Sequence, residues 1–259
     1  MLLVIDSGNT NVVFALYDGR TQVGRWRASS DPRRTADEYA VWLTQLMNLK
    51  GFALADVEAA VMANVVPAAD YALRTLCQRY VKGEALVVGD PGVEIGVEAR
   101  IDRPEQVGAD RLVNALSSHA EFGGPLVVID FGTATTFDIV GEDGAYEGGV
   151  IAPGIHLSVE ALYMAAAKLP RISVEKPQRV IGKATVPAMQ SGVFWGYVGL
   201  IEGLLKRIRE EDGRELEVVA TGGLAAIFVE ATECFETVDL DLTLKGLVRI
   251  YELNRTDGR

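Results

Sequence analysis

Val127-Val-Ile-Asp-Phe-Gly-Thr-Ala-Thr-Thr-Phe-Asp-Ile-Val140 sets a carboxylate, a glycine and several hydroxyls between two apolar runs. The pattern reads as strand, polar turn, strand. Residues 126–129 are apolar at every position, which suits a central strand covered on both faces. Such a strand delivers Asp130 to its carboxyl end, where α/β sheets bind ligands. Gly132 lets the backbone approach a ligand, and the N–H groups and hydroxyls of Thr133, Thr135 and Thr136 could hold phosphate oxygens. Taken alone, the stretch reads equally well as an ordinary hairpin turn, since Asp, Gly and Thr are common turn residues.

The start of the chain separates the two readings. Leu2-Leu-Val-Ile-Asp-Ser-Gly-Asn-Thr-Asn-Val-Val-Phe-Ala-Leu-Tyr-Asp-Gly19 has the same layout. Asp6 and Asp130 are 124 residues apart, as are Gly8 and Gly132, and the later Asp-Gly pairs at 18 and 143 are 125 apart. This is an internal repeat, and each half should continue from its Asp-Gly turn into a third strand, over 22–28 and 146–151. Further on, Thr35 and Glu38 can cap a helix to about 49, with Val41, Leu43, Leu46 and Met47 on its apolar side. A strand over 57–65 leads to Pro67, which suits the first turn of a helix to 80, and 85–88 is strand-like. Residues 89–107 read as an excursion. A helix over 108–120 should bury Leu112, Val113, Leu116 and Ala120 and carry Asp110 in its first turn, where an acid complements the helix dipole whether or not it is catalytic.

In the second half, a helix over about 155–168 follows the Gly-Pro turn at 152–154, and a helix start beside such a turn can take an anion. Residues 185–210 read as a long helix with glycines at 192, 196, 199 and 203, a spacing that fits close helix packing inside the chain or across a dimer. A strand over 216–220 turns through Gly222-Gly223 into a helix, where a flat group can rest on bare backbone. A last helix spans 242–253, with a loose tail over 254–259. The alternation of strands and helices gives an α/β fold of two duplicated halves, 1–117 and 118–259, facing each other across a cleft.

Composition sets the outer limits. The chain has 259 residues, 49% of them hydrophobic, enough for a substantial core. A net charge of −11 gives no basic face for nucleic acid. Cys77 and Cys234 stand far apart, without zinc or disulfide spacing, and read as core fillers. His119 and His156 each stand alone and read as helix or surface residues rather than ligands. The chain opens directly on a strand and has no apolar run long enough for a membrane span, so the expectation is a cytoplasmic protein.

Two Asp-x-Gly turns on duplicated strands imply a phosphate chain held between them, and carboxylates facing phosphate require a cation. Mg²⁺ takes few carboxylates and keeps waters and phosphate oxygens, so Asp6 and Asp130 would hold it largely through water. Asp110 remains as the group to accept a proton from an acceptor hydroxyl.

Asp6-Ser-Gly-Asn-Thr10, Gly108-Ala-Asp-Arg111, Asp130-Phe-Gly-Thr-Ala-Thr-Thr136 and Thr221-Gly-Gly223 together resemble the type III pantothenate kinases, in the acetate and sugar kinase, Hsp70 and actin superfamily. Arg33-Arg-Thr-Ala-Asp-Glu-Tyr39, Gly148-Gly-Val-Ile-Ala-Pro-Gly154, Ala167-Lys-Leu-Pro170 and Ile181-Gly-Lys-Ala-Thr185 extend the match almost end to end. The resemblance implies two ribonuclease H-like (actin-like ATPase) domains with mixed sheets flanked by helices and the active site in the cleft. It implies ATP-dependent phosphorylation of pantothenate to 4′-phosphopantothenate, the first step towards coenzyme A, by a homodimer using Mg²⁺ and a monovalent cation, K⁺ or NH₄⁺. By the same resemblance Asp110 is the general base, and Gly108 and Arg111 lie at the pantothenate site with Thr185, which reaches it across the dimer interface. Asp6 and Asp130 serve metal and phosphates. Gly8, Asn9, Thr10, Asn11, Gly132 and Thr133 hold the phosphate chain, and Gly222 and Gly223 border adenosine.

The chain also departs from the family pattern. Ile101 stands where the family commonly has a tyrosine near pantothenate, Glu94 where a basic residue is common, and Asn64 and His156 where small residues are common. Two other readings follow: a catalytically divergent member kept as a regulatory or accessory binding protein, or a kinase for another small hydroxyl substrate.

Overall fold

The computed structural model describes residues 1–82, 85–165 and 169–255. The first sheet is built from β1 (Leu2–Ser7), β2 (Asn11–Asp18), β3 (Thr21–Ser29), β4 (Ala59–Asn64) and β5 (Ala85–Val87), in the order β3-β2-β1-β4-β5. The second is built from β6 (Leu126–Phe131), β7 (Ala134–Val140), β8 (Tyr146–Pro153), β9 (Glu217–Thr221) and β10 (Thr237–Val238), in the order β10-β9-β6-β7-β8. Read from its third strand, the second order is the first repeated. In both sheets the first three strands are antiparallel neighbours, and the fourth and fifth run parallel to the first. The duplication extends to an irregularity: the register slips at Leu16/Tyr17 between β2 and β3 and at Ile139/Val140 between β7 and β8. Leu126 to Ile129 are fully buried in the middle strand of their sheet, as an unbroken apolar run requires.

Helix α1 (Ala36–Asn48) begins with the expected capping box: Glu38 N–H donates to the Thr35 hydroxyl, and Thr35 N–H donates to the Glu38 carboxylate over 2.7 Å. Leu43 and Met47 are buried, but Val41 is 66% exposed and lies outside the apolar side expected for it. Helix α2 (Pro67–Tyr80) starts at its proline. Just ahead of it, Asn64 accepts from Val66 N–H over 3.0 Å and donates to Asp70 over 3.4 Å, so this departure from the family pattern organises the entry to α2. The backbone N–H of Glu94 is held by Asn254.

Helix α3 (Ala109–Phe122) buries Leu112 and Val113 as expected, but Ala120 is exposed and Asn114, Ser117 and Ser118 are buried instead. The reason is the last helix, α7 (Leu242–Asn254). Thr243 donates to Asn114 over 2.7 Å, and a Cβ on Gly246 would stand 2.5 Å from the Val113 carbonyl. Leu244, Leu247, Val248 and Ile250 complete one core with Leu2, Val4, Ala15, Tyr17, Val61 and Val113. The chain therefore divides into Met1–Ser117 with the segment from Leu242 on, and Ser118–Asp241. The assignment of all of 118–259 to one domain is corrected, because the apolar face of α7 is consumed by the first sheet.

The second unit adds α4 (Ile155–Ala165), α5 (Thr185–Asp212) and α6 (Ala225–Val229). Its core is aromatic, with the Phe131 and Phe194 rings each 5.5 Å from Phe228 and Tyr197 at 5.2 Å from it. The expected end of α4 at 168, the Ala167-Lys168 part of the family match and the last four residues of the tail lie outside the described residues. Cys77 is buried, which pushes its thiol up to about 12, and Cys234 is partly buried. Among the described residues no helix is long and apolar enough to cross a membrane.

Candidate active site

In the first unit, Asp6 is the last but one residue of β1, on the face that Leu2 and Val4 turn toward α3 and α7. Gly8 N–H donates to the Asn11 carbonyl and closes the turn, while Ser30 N–H, just beyond β3, donates to the Thr10 carbonyl, both over 3.0 Å. Asn9 and Thr10 project into solvent. The second unit repeats the device. Gly132 N–H donates to the Ala134 carbonyl over 3.0 Å, and Gly154 N–H, just beyond β8, donates to the Thr133 carbonyl over 3.1 Å. A Cβ on Gly154 would stand 2.2 Å from that carbonyl, so the Ala-Pro-Gly turn is moulded to the 132–133 turn.

Asp130 is the last but one residue of β6, and Gly222 lies against it. Gly222 has φ +89°, and a Cβ there would meet Asp130 Oδ1 at 2.5 Å and Phe131 N at 2.6 Å. The structure thus brings Gly132 and Gly222 against Asp130, with Thr133 and Gly223 next to them in the chain. It does not keep Thr135 and Thr136 as phosphate donors. The Thr135 side chain is buried and bonded to the Tyr197 hydroxyl, and Thr136 donates its hydroxyl to Asp138. Only the exposed Thr133 fits that expectation.

Asp110 stands in the first turn of α3. Its Oδ1 folds back within 2.6 Å of the place a Gly108 side chain would begin, and accepts from the Arg111 N–H over 2.9 Å. Burial pushes the carboxyl above its ordinary range, opposed by that bond and by the Arg111 charge. A dipole-complementing acid needs no such burial, so the helix dipole alone does not account for this environment. Thr185, the first residue of α5, is exposed, as are Gly192, Gly196 and Gly199, and a Cβ at any of these glycines would meet nothing within 4 Å. Packing inside the chain does not explain that row. His119 Nε2–H donates to the Glu142 carbonyl over 3.0 Å, and His156 is exposed on α4.

Among the described residues no three of His, Cys, Asp and Glu converge into a metal shell. The donor chemistry still fits a hard cation completed by water and phosphate: Asp130 Oδ1 borders space left by the missing side chains of Gly222 and Gly132.

Duplicated mixed sheets of this order, each with an acid and a glycine turn at the end of its middle strand, make up a ribonuclease H-like fold of the actin-like ATPase and sugar-kinase type. A Campylobacter jejuni protein described as a Baf family transcriptional activator has the same fold, with TM-score 0.61 over 97% of this chain and 98% of its own, at 19% identity. A 2-dehydro-3-deoxygalactonokinase protein from Sinorhizobium meliloti superposes with TM-score 0.60 over 100% and 98%, at 12% identity. Sequence carries the assignment further. The type III pantothenate kinase profile matches residues 2–207. The type III pantothenate kinases of Paramagnetospirillum magneticum and Rhodospirillum rubrum are 62% and 58% identical, over 100% and 99% of this chain and all of theirs. The chain belongs to the type III pantothenate kinase family.

Proposed function

We infer that this chain transfers the γ-phosphoryl group of ATP to the primary hydroxyl of pantothenate, giving 4′-phosphopantothenate for coenzyme A synthesis. The observation that carries the residue assignment is Asp110: a carboxylate with a raised proton affinity, folded between Gly108 and Arg111 at a helix start. In this reading Asp110 accepts the hydroxyl proton as the oxygen attacks phosphorus, and the Arg111 guanidinium pairs with the pantothenate carboxylate. The turns at residues 8–11 and 132–133 are each assigned to phosphate oxygens of ATP, and Gly222 and Gly223 to its adenosine. Asp6 and Asp130 hold Mg²⁺, which neutralises charge on the phosphate oxygens when bound, and K⁺ or NH₄⁺ serves as the monovalent cation. Charge neutralisation and positioning supply most of the catalysis in such transfers.

The uncovered row Gly192, Gly196, Gly199 on α5 supports a homodimer with Thr185 near the partner's pantothenate. ATP and pantothenate are water-soluble, which fits a cytoplasmic enzyme. The test is to incubate the purified protein with ATP, Mg²⁺, K⁺ and pantothenate and to measure phosphopantothenate by mass. Wild type should form it, and Asp110→Asn should be slower by about 10²–10⁴. Absence of product from wild type rejects the pantothenate reading; an equally fast variant rejects Asp110 as base.

A further inference from the structure

Asp138 is a carboxylate without a task in the reaction above. It lies in the middle of β7, 0% exposed, and a charge taken out of water is unfavourable unless its surroundings hold it. Thr136 donates its hydroxyl hydrogen to Asp138 Oδ2 over 2.8 Å. Strand alternation puts Thr136 and Asp138 on one face, and the ladder sets them opposite Asp130 and Val128. Val127, Ile129, Phe131 and Phe137 fill the aromatic core on the other face. Asp130, Thr136 and Asp138 therefore share a face. Directly opposed residues of an antiparallel pair bring their Cβ atoms within about 4.5–5.5 Å, which makes the Thr136 and Asp130 side chains neighbours on that face.

A hydroxyl has one hydrogen. With that hydrogen on Asp138, Thr136 Oγ1 offers only lone pairs to anything else. Lone pairs next to a carboxylate repel a phosphate oxygen, which wants a donor, and suit a hard cation or the water around it. We propose that Asp138 is a positioning residue: it fixes Thr136 as an oxygen ligand, direct or through water, of the cation held by Asp130. The proposal rests on the assignment of a cation to Asp130, and hard oxygen chemistry of this kind serves a divalent or a monovalent ion.

The full-length protein is titrated with Mg²⁺ and, separately, with K⁺ in the presence of ADP, and the half-saturating concentration of each is read from the rise in melting temperature. Thr136→Val should raise that concentration for one of the two ions by about tenfold or more, the usual size of such effects around metal ligands. Thr136→Ser should stay near wild type, and Asp138→Val should match Thr136→Val. Asp138→Ala replaces the valine variant if that one does not fold. The double variant should be no weaker than Thr136→Val alone, a coupling that a merely structural Asp138 would not show. If Asp130→Asn weakens cation binding while Thr136→Val stays within twofold of wild type, this inference is overturned and the Asp130 assignment stands. If Asp130→Asn changes nothing, both fall. Additive losses in the double variant reject Asp138 as the positioning group.

Discussion

At the scale of single residues, the base role proposed for Asp110 sets function against stability. Its carboxyl is raised above the ordinary value chiefly by burial. The base must be ionised to work, so the acid limb of kcat/KM should lie above the range of a free aspartate and vanish with the residual activity of Asp110→Asn. The linkage has a definite sign. A carboxyl whose folded pKa is raised binds its proton more tightly when folded, so it favours the fold at low pH and loses that contribution as pH rises through the folded value. At neutral pH the ionised group is a burden, and Asp110→Asn should melt no lower than wild type, with the two curves converging on acidification. A clear drop in melting temperature at pH 7 would contradict this account. Gly222 is constrained in the opposite way. With φ +89° and Asp130 Oδ1 2.5 Å from its missing Cβ, Gly222→Ala should lose about 1–2 kcal/mol for the backbone alone in urea unfolding. Activity should fall further, because Asp130 must move.

At the scale of elements, the paired turns are one device built twice, and they carry the proposed phosphate site. Each is closed by a glycine N–H and pinned from outside by the residue that follows the third strand, Ser30 in one unit and Gly154 in the other. A turn held at both ends can present N–H groups without reorganising when an anion arrives, which is how electrostatic stabilisation is made effective. Helix α5 is an element whose sequence works against itself as an isolated helix, since each glycine costs about 1 kcal/mol relative to alanine. With nothing within 4 Å of a Cβ at Gly196, Gly196→Leu fits the single chain and should raise helix stability. In the proposed homodimer it fills the space a second backbone needs, and sedimentation should show a shift from dimer to monomer. A dimer of unchanged strength would place the interface elsewhere.

At the scale of the whole molecule, the chain returns at its end to the unit it began with. Leu242, Leu244, Leu247, Val248 and Ile250 are each at most 4% exposed, and burying one such side chain is worth about 1.5–3 kcal/mol. Their sum rivals the whole stability of a typical domain, about 5–15 kcal/mol. A chain ending at Asp241 should therefore lose cooperative unfolding of the first unit or fail to stay in solution; an unaltered melting curve would refute the role given to α7. This helix also marks the limit of sequence reading. The duplicated Asp-x-Gly motifs, the unbroken apolar run before Asp130, the Thr35 cap and Pro67 are local signals, and they were legible because strand period, capping and turn chemistry act over a few residues. They determined the α/β class and the repeat, and they pointed to the candidate residues of the site. Periodicity could not say which sheet α7 would cover, that Val41 and Ala120 would face water, or that the hydroxyls of Thr135 and Thr136 would be taken by Tyr197 and Asp138. Those outcomes depend on which faces meet in space, and only the tertiary structure decides them, because a hydroxyl or an apolar face takes the partner that packing brings to it and not the one its motif announces.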